Sequence, residues 1–223
     1  MKERPILFSA PMVRAILEGR KTQTRRVVKP AGVHACGYMS GTFGDPSKFS
    51  FGKRGVGSRD PYNFFVEHDV RCPYGAPGDR LWVRETWNTS ENCRPRISEP
   101  YIYAADLDTD GRIKWAARWR PSIHMPRKAS RITLEITGVR VERLQEISEA
   151  DVFAEGVQIP RDAVTKKPLL KITGDESPLP FLPKDYTAEQ FIRAHYAALW
   201  ASINGPESWA ANPWVWVVEF TKL

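Results

Sequence analysis

The alternation of apolar and polar residues at the N-terminus predicts a strand, a helix and a second strand. Residues 5–9 form a short apolar run that is typical of a buried strand. Ser9 stands at the N-cap position of the helix that follows, over residues 10–19, and Gly19 ends it. Residues 21–28 (KTQTRRVV) then alternate as in a strand. The helix carries apolar side chains at 3.6-residue spacing: Met12, Val13, Ile16 and Leu17.

Two further β regions occupy the middle of the chain. From Gly78 the sequence alternates again (DRLWVRETW), and we expect residues 101–106 to pair with this strand. Residues 131–145 have the clearest β pattern of all. Gly138 interrupts that pattern, which predicts a bulge or a turn.

The last third of the chain predicts two capped helices and a closing strand. Ser148 is followed three residues later by an acid, a capping-box pattern that starts a helix ending at Gly156. Thr187 is followed by a glutamine at the same spacing and starts the longest predicted helix, over residues 187–205. Residues 214–223 (WVWVVEFTKL) are rich in β-branched and aromatic side chains, which indicates a strand.

Residues 29–77 lack such a pattern. Repeated glycines punctuate a polar and aromatic stretch, so we predict a long loop that is inserted into the domain at about residues 30–77 and partly covers a site. Many strands with few helices between them predict an α+β protein built on a small β-barrel. A length of 223 residues favours one domain over the whole chain, residues 1–223.

Composition and charge narrow the class of protein. Apolar residues make up 42% of the chain and charged residues 26%, which is a globular composition and excludes a disordered one. The chain lacks the run of about 18 apolar residues that spans a membrane, and its N-terminus lacks the pattern of a signal peptide. Three cysteines are an odd number for a disulfide framework. We therefore predict a cytoplasmic protein without a membrane partner.

The net charge of +7 indicates an anionic partner, and its distribution is more informative than its size. A second basic run, over residues 118–131, is interleaved with Trp115 and Trp119, as in sites for a phosphate, a nucleotide or a base. Solvated surface charge is the alternative. The first run places five cations within ten residues: Arg20, Lys21, Arg25, Arg26 and Lys29.

Familiar cofactor and metal motifs are absent from the sequence. It contains no GxGxxG, GxxxxGK[ST], GxSxG or HExxH pattern. One group of potential zinc ligands has no CxxC or HxxxH spacing, so we predict no metal and no cofactor. That group comprises His34, Cys36, Cys72 and Cys93.

Residues 21–26 (KTQTRR) are the best candidates for chemistry. On a strand, Thr24 and Arg26 point to the same face. A threonine hydroxyl becomes a nucleophile when a base takes its proton, and Lys21 is that base if its pKa falls. Neighbouring arginines lower the pKa of a lysine by like-charge repulsion. The alternative is an exposed basic strand that binds phosphate without chemistry.

These residues resemble the N-terminal signature of ASCH domains, the PUA-like relatives of the activating signal cointegrator homology region. Residues 78–87 (GDRLWVRETW) are similar to the family's second motif, and residues 148–156 and 215–220 to its later elements. The segment 121–127 (PSIHMPR) resembles a longer form that phages and prophages often carry. The resemblance leaves about residues 30–70 and 157–186 uncovered.

The resemblance implies a PUA-like β-barrel with flanking helices, whose central cleft accepts a nucleobase or RNA. Small bacterial ASCH proteins include metal-independent amidohydrolases that remove acyl groups from N4 of cytidine, including N4-acetylcytidine. Carried over to this chain, Lys21 is the base, Thr24 the nucleophile and Glu155 the partner that orients the lysine or relays the proton. Arg26 matches the arginine of the same motif and polarises the acyl oxygen.

A cytosine ring also needs a stacking surface and polar contacts along its edge. Arg84 and Glu85 are candidates for reading the base edge, and a structural pair is the alternative. His124 is expected to form hydrogen bonds within a loop. The implied partner is a small nucleoside or nucleobase substrate, or RNA. Alternative functions are an RNA-binding protein or ribonuclease that uses the same cleft, and an adaptor that binds a modified base without turnover. The stacking candidates are Trp82, Trp87, Trp119 and Tyr74.

Overall fold

A five-stranded sheet is the centre of the fold in the computed structural model, which describes residues 1–29, 39–41, 48–54, 64–90, 100–106, 119–159 and 187–223. Its strand order is β1-β6-β9-β10-β2, and β1 and β6 are the parallel pair. In chain order, the elements of the described residues are β1 (Glu3–Leu7), α1 (Ala10–Leu17), β2 (Gln23–Val27), β3 (Met39–Gly41), β4 (Lys48–Arg54), β5 (Phe64–Arg71), β6 (Arg80–Arg84), β7 (Trp87–Thr89), β8 (Tyr101–Tyr103), β9 (Thr133–Arg143), α2 (Glu149–Ala154), α3 (Ala188–Asn204) and β10 (Trp214–Lys222).

Strand β10 is buried on both of its faces, which explains its continuous apolar sequence. Trp216 and Val218 pack on one face with side chains of α1, β1 and β6. Val215 and Val217 pack on the other face with α2 and α3. Because β2 lies beside β10, its alternating side chains also point to these two different layers.

Strands β1 and β2 are the edges of this sheet, so within the described residues it does not close into a barrel. The described residues form a mixed α and β structure, with a core that is mostly sheet and with few helices. That coarser description is compatible with the predicted α+β class. The predicted pairing of residues 101–106 with the strand that follows Gly78 is wrong for most of that strand. Strand β8 pairs with β7, which shares only Trp87 with the predicted segment, whereas β6 pairs with β1 and β9.

Both predicted capping boxes are confirmed. Ser148 accepts a hydrogen bond from the main chain of Asp151, and Thr187 accepts one from Gln190. Ser9 does occupy the N-cap position of α1, but its side chain forms no capping hydrogen bond. No helix in the described part of the chain is long and apolar enough to cross a membrane.

The predicted irregularity at Gly138 is also confirmed. The register of β9 against β10 shifts there, since Glu219 pairs with Gly138 and Phe220 with Ile136. A Cβ atom at Gly138 would lie 2.5 Å from the carboxylate of Glu219. A side chain at position 138 would therefore have to displace the carboxylate of Glu219, which pairs with Arg140.

The prediction of a loop over residues 29–77 is wrong in part. Strands β3, β4 and β5 form a separate antiparallel three-stranded sheet within that segment. Val70, near the end of β5, packs against the core of the main sheet. The rest of the segment, residues 30–38, 42–47 and 55–63, lies outside the described residues.

Candidate active site

The site begins at the corner between α1 and β2. Gly19 has a φ of +73°, and the main chain of Lys21 donates a hydrogen bond back to the helix. Lys21 then forms an isolated antiparallel bridge to Glu155, the C-cap residue of α2. The main-chain N–H of Thr22 donates to the oxygen of Ala154 at 2.9 Å. Main-chain contacts therefore fix the start of β2 against the end of α2.

Lys21 and Glu155 form a buried ion pair at this bridge. Lys21 Nζ lies 2.7 Å from Glu155 Oε2 and donates a second hydrogen bond to the main-chain oxygen of Glu155 at 2.8 Å. The side chains are only 1% and 6% exposed. Burial lowers the pKa of Lys21; the charge of Glu155 opposes this shift, and Arg25 and Arg26 add to it.

Gly156 makes the close approach of the two segments possible. Its φ is +85°, a backbone conformation that favours glycine. A Cβ atom at this position would lie 2.9 Å from the Cβ of Ala15 and 3.0 Å from the Cβ of Lys21. The glycine that follows Glu155 is therefore required by the geometry of the ion pair.

Arg25 lies on the face of β2 that points towards α2 and α3, and it also contacts the carboxylate of Glu155. Its side chain is 0% exposed and contacts Glu142 at 2.9 Å, Asp151 at 3.1 Å and Glu155 Oε1 at 3.4 Å. Lys21 thus binds one oxygen of Glu155 and Arg25 the other. The sequence pattern did not indicate this role of Arg25, although strand alternation places Arg25 opposite Thr24, towards the helices.

Asp151, which pairs with Arg25, has a lowered pKa. Burial raises the pKa of its carboxyl group, but the hydroxyl of Ser148 and the charge of Arg25 outweigh that effect, and the pKa falls to about 2. Arg140 also contacts Asp151, at 3.0 Å, and pairs with Glu142. The carboxylates around Arg25 are therefore matched by two guanidinium groups.

Thr24 lies on the face of β2 that packs towards α1. It pairs with Val218 of β10 and is 2% exposed, whereas Thr22 is exposed. Thr24 lines a cavity of about 840 Å³ together with Lys21, Arg26 and Glu155. The structure thus brings together the four residues predicted from the lysine–threonine motif and its glutamate. Residues 21–25 are largely buried, so the alternative of an exposed basic strand does not describe them.

Arg26 is held in the wall of the cavity by Phe8 and the end of β1. Its guanidinium donates to the main-chain oxygen of Leu7 at 2.6 Å and lies 5.3 Å from the centre of the Phe8 ring. Lys21 Nζ lies 5.7 Å from the same ring centre. Aromatic side chains form much of the cavity wall: Phe8, Tyr74, Tyr196, Trp200 and Trp216.

The other four predicted substrate-binding residues do not line this cavity. Trp82 is half-buried, with the guanidinium groups of Arg84 and Arg127 at 5.0 and 6.0 Å from its ring. Glu85 is buried and pairs with Arg131 at 2.9 Å rather than with Arg84. Trp87 belongs to a small separate apolar cluster. Their role in substrate binding stays a prediction.

Tyr74 is the one predicted stacking residue that reaches the cavity. Burial raises the pKa of its hydroxyl, and the nearby charge of Arg26 opposes that shift. Trp119 is half-buried elsewhere, and His124 is exposed at the end of a single 3₁₀ turn, Ser122–His124. Neither residue is part of the cavity wall.

The donor set of the cavity consists of amine, hydroxyl, carboxylate and guanidinium groups. Within the described ranges, no three His, Cys, Asp or Glu side chains converge as metal ligands do. Cys72 is buried with a free thiol, and burial raises its pKa. The other three potential zinc ligands, His34, Cys36 and Cys93, lie outside the described residues.

The chemistry available at this site is proton transfer by a buried lysine that shares a cavity with a hydroxyl group and an arginine able to stabilise negative charge. The cavity has room for a ligand of nucleoside size, since sites for small molecules have volumes of about 300–1,000 Å³. Comparison with known proteins found no match: no protein-family model, curated protein or solved structure matches this sequence.

Proposed function

We propose that this chain is an amidohydrolase that removes acyl groups from N4 of acylated cytosine or cytidine, of the N4-acetylcytidine type. Thr24 is the nucleophile, Lys21 the base, and Glu155 the group that orients the lysine. The observation that carries the proposal is the buried Lys21–Glu155 pair, whose members are joined at 2.7 Å and share one cavity with Thr24.

The fold proposed for this activity is the PUA-like barrel of ASCH domains. The segments that resemble the family are adjacent in space, which supports this assignment. Strand β2 carries the lysine–threonine motif and pairs with the closing strand β10. The glutamate at the end of α2 bridges to the first residue of the motif.

The first half of the proposed mechanism transfers the acyl group to Thr24. The neutral amine of Lys21 removes the proton of the Thr24 hydroxyl as Thr24 Oγ1 attacks the acyl carbon. The carbonyl oxygen becomes an oxyanion, and the guanidinium of Arg26 stabilises it. Protonated Lys21 then gives its proton to N4 as the carbon–nitrogen bond breaks, which leaves an acyl ester on Thr24 and releases cytidine.

Water completes the cycle. Lys21 removes a proton from a water molecule, the resulting hydroxide attacks the ester, and Thr24 Oγ1 recovers its proton as the carboxylic acid leaves. Both halves require a lysine that alternates between charged and neutral forms. Burial favours the neutral form, while Glu155 stabilises the charged one. The ion pair therefore suits a group that must accept and return a proton.

Most of the cations between residues 20 and 26 pair with carboxylates of the protein, so few of them remain to bind phosphates. Lys21 and Arg25 are neutralised by buried carboxylates, and Arg20 pairs with Glu18. A polymer-binding strand would instead present these cations to phosphates along the chain. The internal pairing favours the hydrolase over the alternative of an RNA-binding protein or ribonuclease.

Incubation with N4-acetylcytidine, followed by chromatographic detection of cytidine, tests the proposal. Thr24→Ala should lower kcat/KM by at least about a thousandfold, because the nucleophile is lost. Thr22→Ala is the matched control, since Thr22 lies two residues away on the same segment with an exposed side chain. A folded Thr24→Ala variant with the full rate contradicts the mechanism. Wild-type activity should persist in the presence of a chelator.

A further inference from the structure

The cavity wall carries a marked excess of positive charge. Among the described residues, five cations line it, against one carboxylate, that of Glu155. Charges of one sign in a concave, partly apolar site repel each other and raise the local potential. Each cation therefore needs a partner, either within the protein or on a ligand. The five are Lys21, Arg25, Arg26, Lys29 and Arg71.

Three of the five cations are accounted for by the protein. Lys21 and Arg25 pair with Glu155, and Arg25 also contacts Glu142 and Asp151. Arg26 donates to the main-chain oxygen of Leu7 and lies over an aromatic ring. These side chains are fixed around the reacting groups.

Lys29 and Arg71 differ from the other three. Both side chains are exposed, and neither forms an ion pair, a side-chain hydrogen bond or a cation–π contact with another described residue. Lys29 follows β2, and Arg71 is the last residue of β5, which belongs to the other sheet. Two separate segments thus bring to the same cavity a cation without a partner among the described residues.

We propose that Lys29 and Arg71 bind a phosphate group of the substrate, so that the preferred substrate is a nucleotide rather than a free nucleoside. Arginine and lysine are the usual ligands of phosphate, arginine through its planar fork and lysine as a point charge. The identity of the base rests on the proposed function, whereas the phosphate site rests on these two cations alone.

The position of Lys29 along the chain agrees with such a substrate. Thr24 and Lys29 are five residues apart, which corresponds to about 17 Å of extended chain. Thr24 and Lys29 therefore reach the cavity wall from separate points of one segment. In a nucleotide, N4 of the base and the phosphate are likewise separated.

The test compares kcat/KM for N4-acetylcytidine, its 5′-monophosphate and a short RNA that contains the same base. The monophosphate should be preferred over the nucleoside by about tenfold or more at low salt. Lys29→Gln and Arg71→Gln should each reduce the ratio of the two kcat/KM values towards one. Lys128→Gln, which removes an exposed cation outside the cavity wall, should keep the ratio. A stronger preference for RNA than for the monophosphate identifies a polymer as the source of the phosphate.

Binding separates a failure of this inference from a failure of the proposed function. Calorimetry with cytidine 5′-monophosphate and cytidine requires no turnover. Tighter binding of the monophosphate that depends on Lys29 supports the phosphate site even where no acyl group is removed. Hydrolysis of the nucleoside and the monophosphate with equal kcat/KM overturns the phosphate site and leaves the proposed function intact. Absence of both hydrolysis and monophosphate binding overturns the inference.

Discussion

Lys21 contacts Glu155 twice, through Oε2 of its carboxylate at 2.7 Å and through its main-chain oxygen at 2.8 Å. The two contacts have different consequences. The main-chain oxygen positions the ammonium group whatever side chain occupies position 155. The carboxylate supplies the charge that raises the pKa of Lys21 against the effect of burial. Charge and position can therefore be separated by mutation.

Glu155→Gln removes the charge and keeps the shape. Burial lowers the pKa of Lys21, and the charge of Glu155 opposes that effect. Without this charge, the pKa of Lys21 should fall further. Since the neutral amine is the base, the acidic limb of the pH profile of kcat/KM should move to lower pH. The plateau should drop about 10- to 100-fold, because the protonated lysine loses its counter-ion during the reaction.

The control for this variant is Glu142→Gln. Glu142 pairs with Arg25 but not with Lys21, so its removal should leave the acidic limb near its wild-type position. The measurement is kcat/KM for N4-acetylcytidine over a range of pH. A limb that stays in place in Glu155→Gln would show that Lys21 is not the titrating base.

Arg25→Met should destabilise the protein by about 3–5 kcal/mol, because it leaves buried carboxylates without their shared cation. The guanidinium is 0% exposed and contacts three carboxylates within 3.4 Å. Arg127→Met is the comparison: Arg127 pairs with Glu3 at the exposed surface, where water screens the pair, so stability should stay close to that of the wild type. Urea denaturation of both variants measures the difference. Equal losses would mean that the buried network adds no stability.

The elements of the main sheet and its helices could be predicted because their signals are local. The strand at residues 214–223 could be predicted from its run of β-branched and aromatic residues alone. Each capping box could be predicted from two residues three positions apart. Strands β3 to β5 were missed because glycine and polar residues interrupt the alternation there. Those strands pair with each other, and such a register is set between segments rather than within one.

The site shows the same division between local and long-range information. Lys21 and Thr24 are three residues apart, so one motif indicates both. Glu155 is 134 residues from Lys21, and only the resemblance to a known family joined the two. The partners of Arg25 come from β9 and α2, on the far face of β2. No local pattern in the sequence indicates which carboxylates will reach that face.

Asp151→Asn should lower stability at neutral pH and lose that effect in acid. The pKa of the Asp151 carboxyl is lowered to about 2, so its contribution is present above its ordinary pKa of 3.8 and disappears as the pH falls towards 2. We expect a loss of about 1–2 kcal/mol at pH 7, which shrinks between about pH 4 and pH 2 as the wild-type carboxylate becomes protonated. Denaturation at several pH values measures this.

Glu149→Gln is the control for Asp151→Asn. Glu149 is an exposed acid in the first turn of the same helix, α2, and forms no ion pair within the described residues. The free energy of unfolding of Glu149→Gln should therefore differ from that of the wild type by less than about 1 kcal/mol over the same pH range. A pH-independent loss in Asp151→Asn would assign its effect to the helix cap rather than to the charge.

Gly156→Ala should disturb both stability and activity, whereas Gly205→Ala should affect stability alone. Both glycines have positive φ, +85° and +97°, so each substitution carries a backbone cost of about 1–2 kcal/mol. A new Cβ at position 205 meets nothing within 4 Å, but one at position 156 lies 3.0 Å from the Cβ of Lys21. The extra contact must push Lys21 away from Glu155, so only Gly156→Ala should lower kcat on N4-acetylcytidine. Equal kcat in two folded variants would show that the reaction does not depend on this close approach.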